Sequence, residues 1–388
     1  MKSWIAGLLL CLLTGFGVAA AAEVYRGAIG ASEVVLVLDG GQDRAGSYFY
    51  RRVGDDISLW GRATGDAFEL QERVLEAAGD GDTAGRVTGL WRLRRTPGGL
   101  VGDWRSGPSA PALPVRLTRL PPQPRRPFLP SPIFHEYLVD TYGQPAGDRS
   151  DMMPYYLERA RLAPVAGPER RAGVGAYRMI TDRRTGVTWP QLTRHPDARA
   201  MALINDVFEQ NRALAIAEAQ ECRDSLIDQG HVRPGERPRI DVATITITRL
   251  GGRLISLTAG GSIFCGGAHP ANFYHSFTYD TPTATLFNPA DLLDLATPQR
   301  QAAFSRFWRA RMAERMRRHP GVILEECEAI AEPTSTSVAF DYRLTPRGLM
   351  IVEVDPSGAG AACNQDLVEL SFADLRPWLV RGAELYWN

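Results

Sequence analysis

Between residues 121 and 132 the chain reads Pro-Pro-Gln-Pro-Arg-Arg-Pro-Phe-Leu-Pro-Ser-Pro, with six prolines in twelve positions. Each proline removes a backbone donor and fixes its own φ, so such a run excludes both a helix and a central strand. The chain is therefore expected to divide here, with an extended linker of polyproline character over residues 121–135 and a connecting segment over 136–174. Before the linker lies a small all-β unit (residues 23–120), and after the connecting segment a unit of mixed type (residues 175–388).

The first unit is a series of short alternating runs. Val34-Val35-Leu36-Val37-Leu38, Gly46-Ser47-Tyr48-Phe49-Tyr50, Ile57-Ser58-Leu59-Trp60-Gly61, Phe68-Glu69-Leu70, Gly89-Leu90-Trp91-Arg92-Leu93, Leu100-Val101-Gly102-Asp103-Trp104 and Val115-Arg116-Leu117 are separated by turn residues such as Gly54-Asp55-Asp56 and Pro97-Gly98-Gly99. That pattern predicts an antiparallel meander curling into a small barrel or half-barrel, with Trp91, Trp104 and Trp60 filling it. Gly79-Asp80-Gly81-Asp82 has the look of a calcium loop but lacks its closing glutamate, which leaves a hairpin end as the better reading.

The second unit mixes the two periods. Apolar residues at helical spacing over 197–222 and after the capping Thr297-Pro298 predict two amphipathic helices. Strand pairs are expected across Gly251-Gly252 and across Thr345-Pro346-Arg347-Gly348, then a last strand over 367–372 and a last helix over 374–380. The fold class expected for the whole chain is α+β: a barrel-like all-β domain followed by an α+β domain with antiparallel sheet.

At the amino end, Met1-Lys2 precedes an apolar run too short for a membrane span and a small-residue Ala20-Ala21-Ala22 site, which describes a secretory signal peptide over residues 1–22. The expected location is periplasmic or secreted, with no transmembrane anchor after cleavage. Cys11 leaves with the peptide. Cys222, Cys265, Cys327 and Cys363 remain, and four cysteines allow three pairings. Proximity along the chain favours Cys222–Cys265 with Cys327–Cys363. The 44 basic and 44 acidic residues balance, so nothing points to nucleic acid.

Residues 254–293 hold the most distinctive motif. Two alternating runs flank Cys265-Gly266-Gly267-Ala268-His269-Pro270, a stiff loop in which the glycines admit positive φ and Pro270 pushes His269 towards extended backbone. The aromatic strand Asn272-Phe273-Tyr274-His275 follows, leading to Tyr279-Asp280 and Asp291-Leu292-Leu293. Upstream stand Trp189-Pro190-Gln191-Leu192-Thr193 and, on a helix, Ile204-Asn205. With these residues the segment of roughly 175–388 resembles a family of extracytoplasmic domains seen at the C-terminus of a lysozyme-sensing anti-sigma factor and beside the catalytic domain of some peptidoglycan deacetylases. The resemblance implies an α+β fold and binding rather than catalysis, with lysozyme or peptidoglycan as partner. The candidate contact residues are Gly266, Gly267, His269, Pro270, Asn272, Phe273 and Tyr274.

No nucleophile elbow, phosphate loop, dinucleotide fingerprint or His-Glu-x-x-His occurs, so no enzyme activity, cofactor or metal is expected. His269 and His275 with Asp280 form a weaker metal reading. Asp280 and Asp291 as acid and base of a cell-wall glycan hydrolase are the alternative function, and a structural envelope protein is a further one.

Overall fold

The computed structural model describes residues 22–38, 44–74, 86–123, 149–228, 244–266, 270–319, 339–354 and 366–386. The signal-peptide residues, the Gly79–Asp82 loop, most of the proline run, Cys327 and Cys363 lie outside them.

Strands β1 (Glu23–Ile29), β2 (Ser32–Leu38), β3 (Arg44–Tyr50), β4 (Ile57–Thr64), β5 (Ala67–Val74), β6 (Arg86–Thr96), β7 (Gly99–Arg105) and β8 (Leu113–Arg119) pair in sequence order. Pairing of β1 with β8 closes them into a barrel. The sequence pattern missed β1, whose Glu-Val-Tyr-Arg-Gly-Ala-Ile lacks clean alternation; closure of the sheet holds it in place. Tyr25, Leu36, Tyr48, Leu59, Leu70, Trp91, Leu100 and Leu117 fill the interior as one cluster. Trp91 is therefore core and Trp104 packs partly against it, whereas Trp60 lies outside that cluster with the Arg73 guanidinium 5.6 Å from its ring.

The continuous apolar run in β2 has a specific cause. Val34, Leu36 and Leu38 face the barrel interior, while Val35 and Val37 join Val24 and Phe49 in a second core outside it. A strand buried on both faces has no polar side to show.

That second core is built by the rest of the chain. Helix α1 (Met153–Ala160) lies in the connecting segment and packs against both halves. Strands β9 (Pro164–Ala166), β10 (Arg170–Ala172), β11 (Gly175–Asp182) and β12 (Thr188–Arg194) form one small sheet, in which β9 and β10 both pair with β11. Helix α2 (Ala198–Asp228), capped by the Asp197 carboxylate on the Arg199 and Ala200 N–H groups, runs for 31 residues. Ala213 to Ala217 are buried on every side because the barrel, α1 and two sheets surround the helix.

Strands β13 (Thr244–Leu250), β14 (Leu254–Ile263), β15 (Ala271–Asp280) and β16 (Thr285–Leu286) form the next antiparallel sheet. Helix α3 (Pro298–Arg318) starts as expected, with Thr297 accepting from Arg300 N–H. It covers the last sheet, β17 (Ala339–Leu344), β18 (Gly348–Val354) and β19 (Asp366–Ser371), around a core of Phe304, Trp308, Leu344, Ile351 and Leu370. The helix expected over 374–380 is a single turn, α4 (Phe372–Leu375), capped by Ser371 and followed by a short 3-10 segment. Pro377 has no N–H to continue the ladder, and Leu379 instead bridges to Leu293. Among the described residues no helix is long and apolar enough to cross a membrane.

The seam between the barrel and the helices is polar at its centre. The guanidinium of Arg159 on α1 is 2% exposed; it donates to Asp56 of the β3–β4 turn and, at 2.5 Å, to Gln220 of α2. The Tyr155 hydroxyl reaches the same Asp56 oxygen at 2.5 Å, Gln220 donates to the Gly54 carbonyl, and Arg223 pairs with Asp55 at 3.1 Å. Gly54 has φ +86°, and a Cβ there would lie 1.8 Å from the Arg184 guanidinium. Removing a buried cation strands its partners, so Arg159→Ala should lower the unfolding free energy by about 3 kcal/mol in urea denaturation. A loss below about 1 kcal/mol, the range of an exposed pair, would show that this cluster does not hold the two halves together.

The far end of the barrel closes on Glu23, which accepts from Arg95 at 2.8 Å, pairs with Arg119 at 3.0 Å and accepts from the Tyr25 hydroxyl at 3.0 Å. Burial, then the hydrogen bond to Glu23, pushes the Tyr25 hydroxyl up to about 12. Above the ordinary tyrosine range near pH 10 the unfolded chain therefore loses this proton while the folded chain keeps it, and stability falls as pH rises through that window. Thermal melts between pH 9 and about 12 should show this decline, and Tyr25→Phe should make it shallower. An unchanged slope in the variant would count against the assignment.

Candidate functional site

The β14–β15 hairpin is the longest pairing in its sheet. Its register runs from Leu254↔Asp280 to Ile263↔Ala271, and among the described residues β13 accompanies β14 as far as Thr244↔Gly260. Gly261↔Phe273, Ser262↔Asn272 and Ile263↔Ala271 form three rungs that project beyond the described part of β13. A two-stranded ribbon is marginal by itself in water.

The projecting end is fastened. Cys265, just past β14, is bonded to Cys222 in the last third of α2, with 4.7 Å between their Cα atoms and a sequence separation of 43. This is the pairing that proximity favours. Gly266 is buried and takes φ +99°, a left-handed conformation that needs glycine at the turn out of the disulfide. Pro270 is exposed where the chain re-enters β15.

Of the other candidate contact residues, Gly267 and His269 lie outside the described residues. Asn272 and Phe273 occupy the projecting rungs. Tyr274 is the first rung below them and is half-buried. Its hydroxyl donates to Asp366 at 3.1 Å, and Arg343 donates both to that hydroxyl and to the second Asp366 oxygen. The burial that takes Tyr274 out of water raises its pKa and keeps it a neutral donor. The cluster joins β15 to β17 and β19, so the base of the hairpin is tied to the last sheet.

Beneath it runs a polar layer between the two sheets. Ser256 and Thr278 share a hydrogen bond of 2.8 Å, Thr248 donates to the Leu344 carbonyl at 3.0 Å, and Arg249 to the Thr345 carbonyl at 3.1 Å. Asp341 sits here with its pKa raised by burial, accepting from its neighbour Tyr342 N–H at 2.8 Å. Arg343, Asp341 and Asp366 were not legible as site residues in the sequence. The available signal was spacing: Asp341 and Arg343 alternate with the apolar-packed Phe340, Tyr342 and Leu344 on one strand, which marks one face of β17 as polar.

The weaker readings scatter. His275 and Asp280 are five positions apart on one strand and so emerge on opposite faces. His275 lies 6.2 Å from the Phe277 ring, while Asp280 is paired with Arg253 at 3.2 Å and accepts from Thr283 at 2.9 Å. Asp291 is exposed in the 3-10 turn Pro289–Leu292, behind the capping Asn288.

The geometry therefore assembles a projecting hairpin with a covalent tie at the end of β14 and a polar tie at its base. Replacing both Cys222 and Cys265 by Ser should cost about 4 kcal/mol on the chain-entropy account of a closure this long. Amide exchange of residues 261–263 and 271–273 should quicken in that variant, and unchanged protection there would show that the ribbon does not need the crosslink.

No family model matches the sequence, and none of the curated proteins matches it. Among solved structures the chain is similar to the crystal structure of a member of the DUF3298 family from Bacteroides fragilis, at 11% identity and a TM-score of 0.35, over 57% of this chain and 94% of that one.

Proposed function

We propose that this chain is an exported cell-envelope binding protein that engages its partner with the tip of the β14–β15 hairpin and carries out no catalytic step of its own. The observation that carries this reading is the fastening of three projecting rungs by Cys222–Cys265 to α2, whose middle is enclosed by the barrel, α1 and two sheets. A ribbon tied down before binding loses less conformational entropy when it docks, so more of its contacts appear as affinity. A disulfide stable in an oxidising compartment agrees with export.

The resemblance in the 254–293 motif supplies the partner: a lysozyme-type protein or a peptidoglycan fragment. Asn272 and Phe273 lie on the projecting rungs, and with His269 of the same motif they are the contact residues of this reading.

Titration calorimetry of oxidised residues 23–388 against a c-type lysozyme, and separately against soluble muropeptides, should give saturable binding to one of them. Phe273→Ala or His269→Ala should weaken it tenfold or more, about 1.4 kcal/mol, as for an interface anchor. Failure of both ligands to bind at high micromolar concentration, or binding that ignores both substitutions, would overturn the reading.

A further inference from the structure

A second concave feature lies away from the hairpin, between α2 and the β9–β12 sheet, with Arg161 from the end of α1 at its rim. The cleft has a volume of about 380 Å³. Its floor is apolar, from Phe208 of α2 and Ile180 and Pro190 of the sheet. Pro190, Gln191 and Asn205 belong to the sequence patterns that the hairpin does not use. The Asn205 amide accepts from Leu192 N–H at 2.8 Å and donates to Leu192 carbonyl at 2.9 Å, acting as a strand neighbour for β12. Gln191 accepts from Arg178 Nε at 2.8 Å.

The charges on the walls are unequal. Arg212 of α2 is only 7% exposed, and its Nη1 donates to the Ala160 carbonyl at 3.1 Å. Arg178 of β11 is oriented by Gln191. Neither has a carboxylate within 4.0 Å among the described residues. The acidic groups that act on Arg212 at longer range are already engaged: Glu209 with Arg161 at 3.2 Å, and Asp182 with Arg184 at 3.2 Å. Arg161 is also within 3.6 Å of Glu158, so it is doubly compensated. Burial lowers the pKa of Arg212, as expected for a cation removed from water without a counter-ion of its own. A desolvated guanidinium of this kind gains most from an anion that completes its planar fork.

We infer that this cleft binds a small organic monocarboxylate, its carboxylate taken by Arg178 and Arg212 and its apolar portion resting on Phe208 and Ile180. Two features select the class. The planar forks match a carboxylate, whose two oxygens one guanidinium can hold in parallel. The apolar floor favours a carboxylate that carries hydrocarbon over acetate or an inorganic anion. This site is independent of the hairpin, and its test does not use the hairpin partner.

The test is calorimetric titration of the oxidised mature chain with N-acetyl-alanyl-alanine, its C-terminal amide, acetate and phenyl phosphate. The dipeptide acid should bind with a Kd of about 1 mM or tighter, and the amide, acetate and phenyl phosphate at least about tenfold more weakly. Arg178→Gln, at a half-buried position with no ion pair to lose, should weaken the acid at least about tenfold while leaving the melting temperature and amide affinity unchanged. Arg212→Gln should do the same where it folds, and Arg178→Gln decides the matter where it does not. Equal binding of acid and amide, tighter binding of phenyl phosphate, no binding of the acid, or an Arg178→Gln protein that binds normally would each overturn the proposal.

Discussion

The Arg159 guanidinium sits where the barrel turn, α1 and α2 meet, and its desolvation is the constraint that the arrangement of the halves must satisfy. Moving a guanidinium out of water is unfavourable unless its donors find acceptors with good geometry. Gln220 and Asp56 supply acceptors for Nη1 and Nη2, and the Phe49 and Tyr155 rings lie 5.2 and 4.9 Å from the guanidinium centre. Each acceptor comes from a different part of the chain, so the cluster is complete only when all are docked. Hydrophobic contact through Val35, Val37 and Phe49 supplies attraction without direction, and the Arg159 cluster supplies the register.

The same logic recurs on the same turn of α2, where Cys222 stands between Gln220 and Arg223. There the helix anchors a projecting ribbon through a covalent bond, while Tyr274, Arg343 and Asp366 bind the base of that ribbon to the last sheet. A helix whose middle is enclosed on every side is a stable post for such attachments. Its N-terminal half, at Asn205, Phe208, Glu209 and Arg212, lines the arginine cleft, so one element positions both surfaces to which binding is assigned.

Local pattern carried much of the fold. The barrel strands from Val34 onward, the Thr297 cap, the turns at Gly251 and Thr345, and the tie between Cys222 and Cys265 all follow from period, punctuation and chain proximity. The misses share one cause. Strand β1 exists because β2 and β8 pair with it, and the last helix stops because Pro377 and the bridge to Leu293 end it. Of the site, Gly266 and the projecting aromatic strand were legible, since a left-handed turn demands glycine and alternation marks a strand. The Arg343–Asp366 pair was not, because its partners come from strands far apart in sequence.

The sequence by itself determined most of the strands from Val34 onward, the two long helices and where the chain turns, because those properties depend on neighbours a few residues away. Only the tertiary structure decided that the barrel closes, that α1 lies against both halves, and that Arg178 and Arg212 share a cleft with no carboxylate within 4.0 Å of either among the described residues. Charge pairing and burial are set by what packs against a side chain, and for Arg159, Arg178 and Arg212 those neighbours are between 13 and 103 positions away.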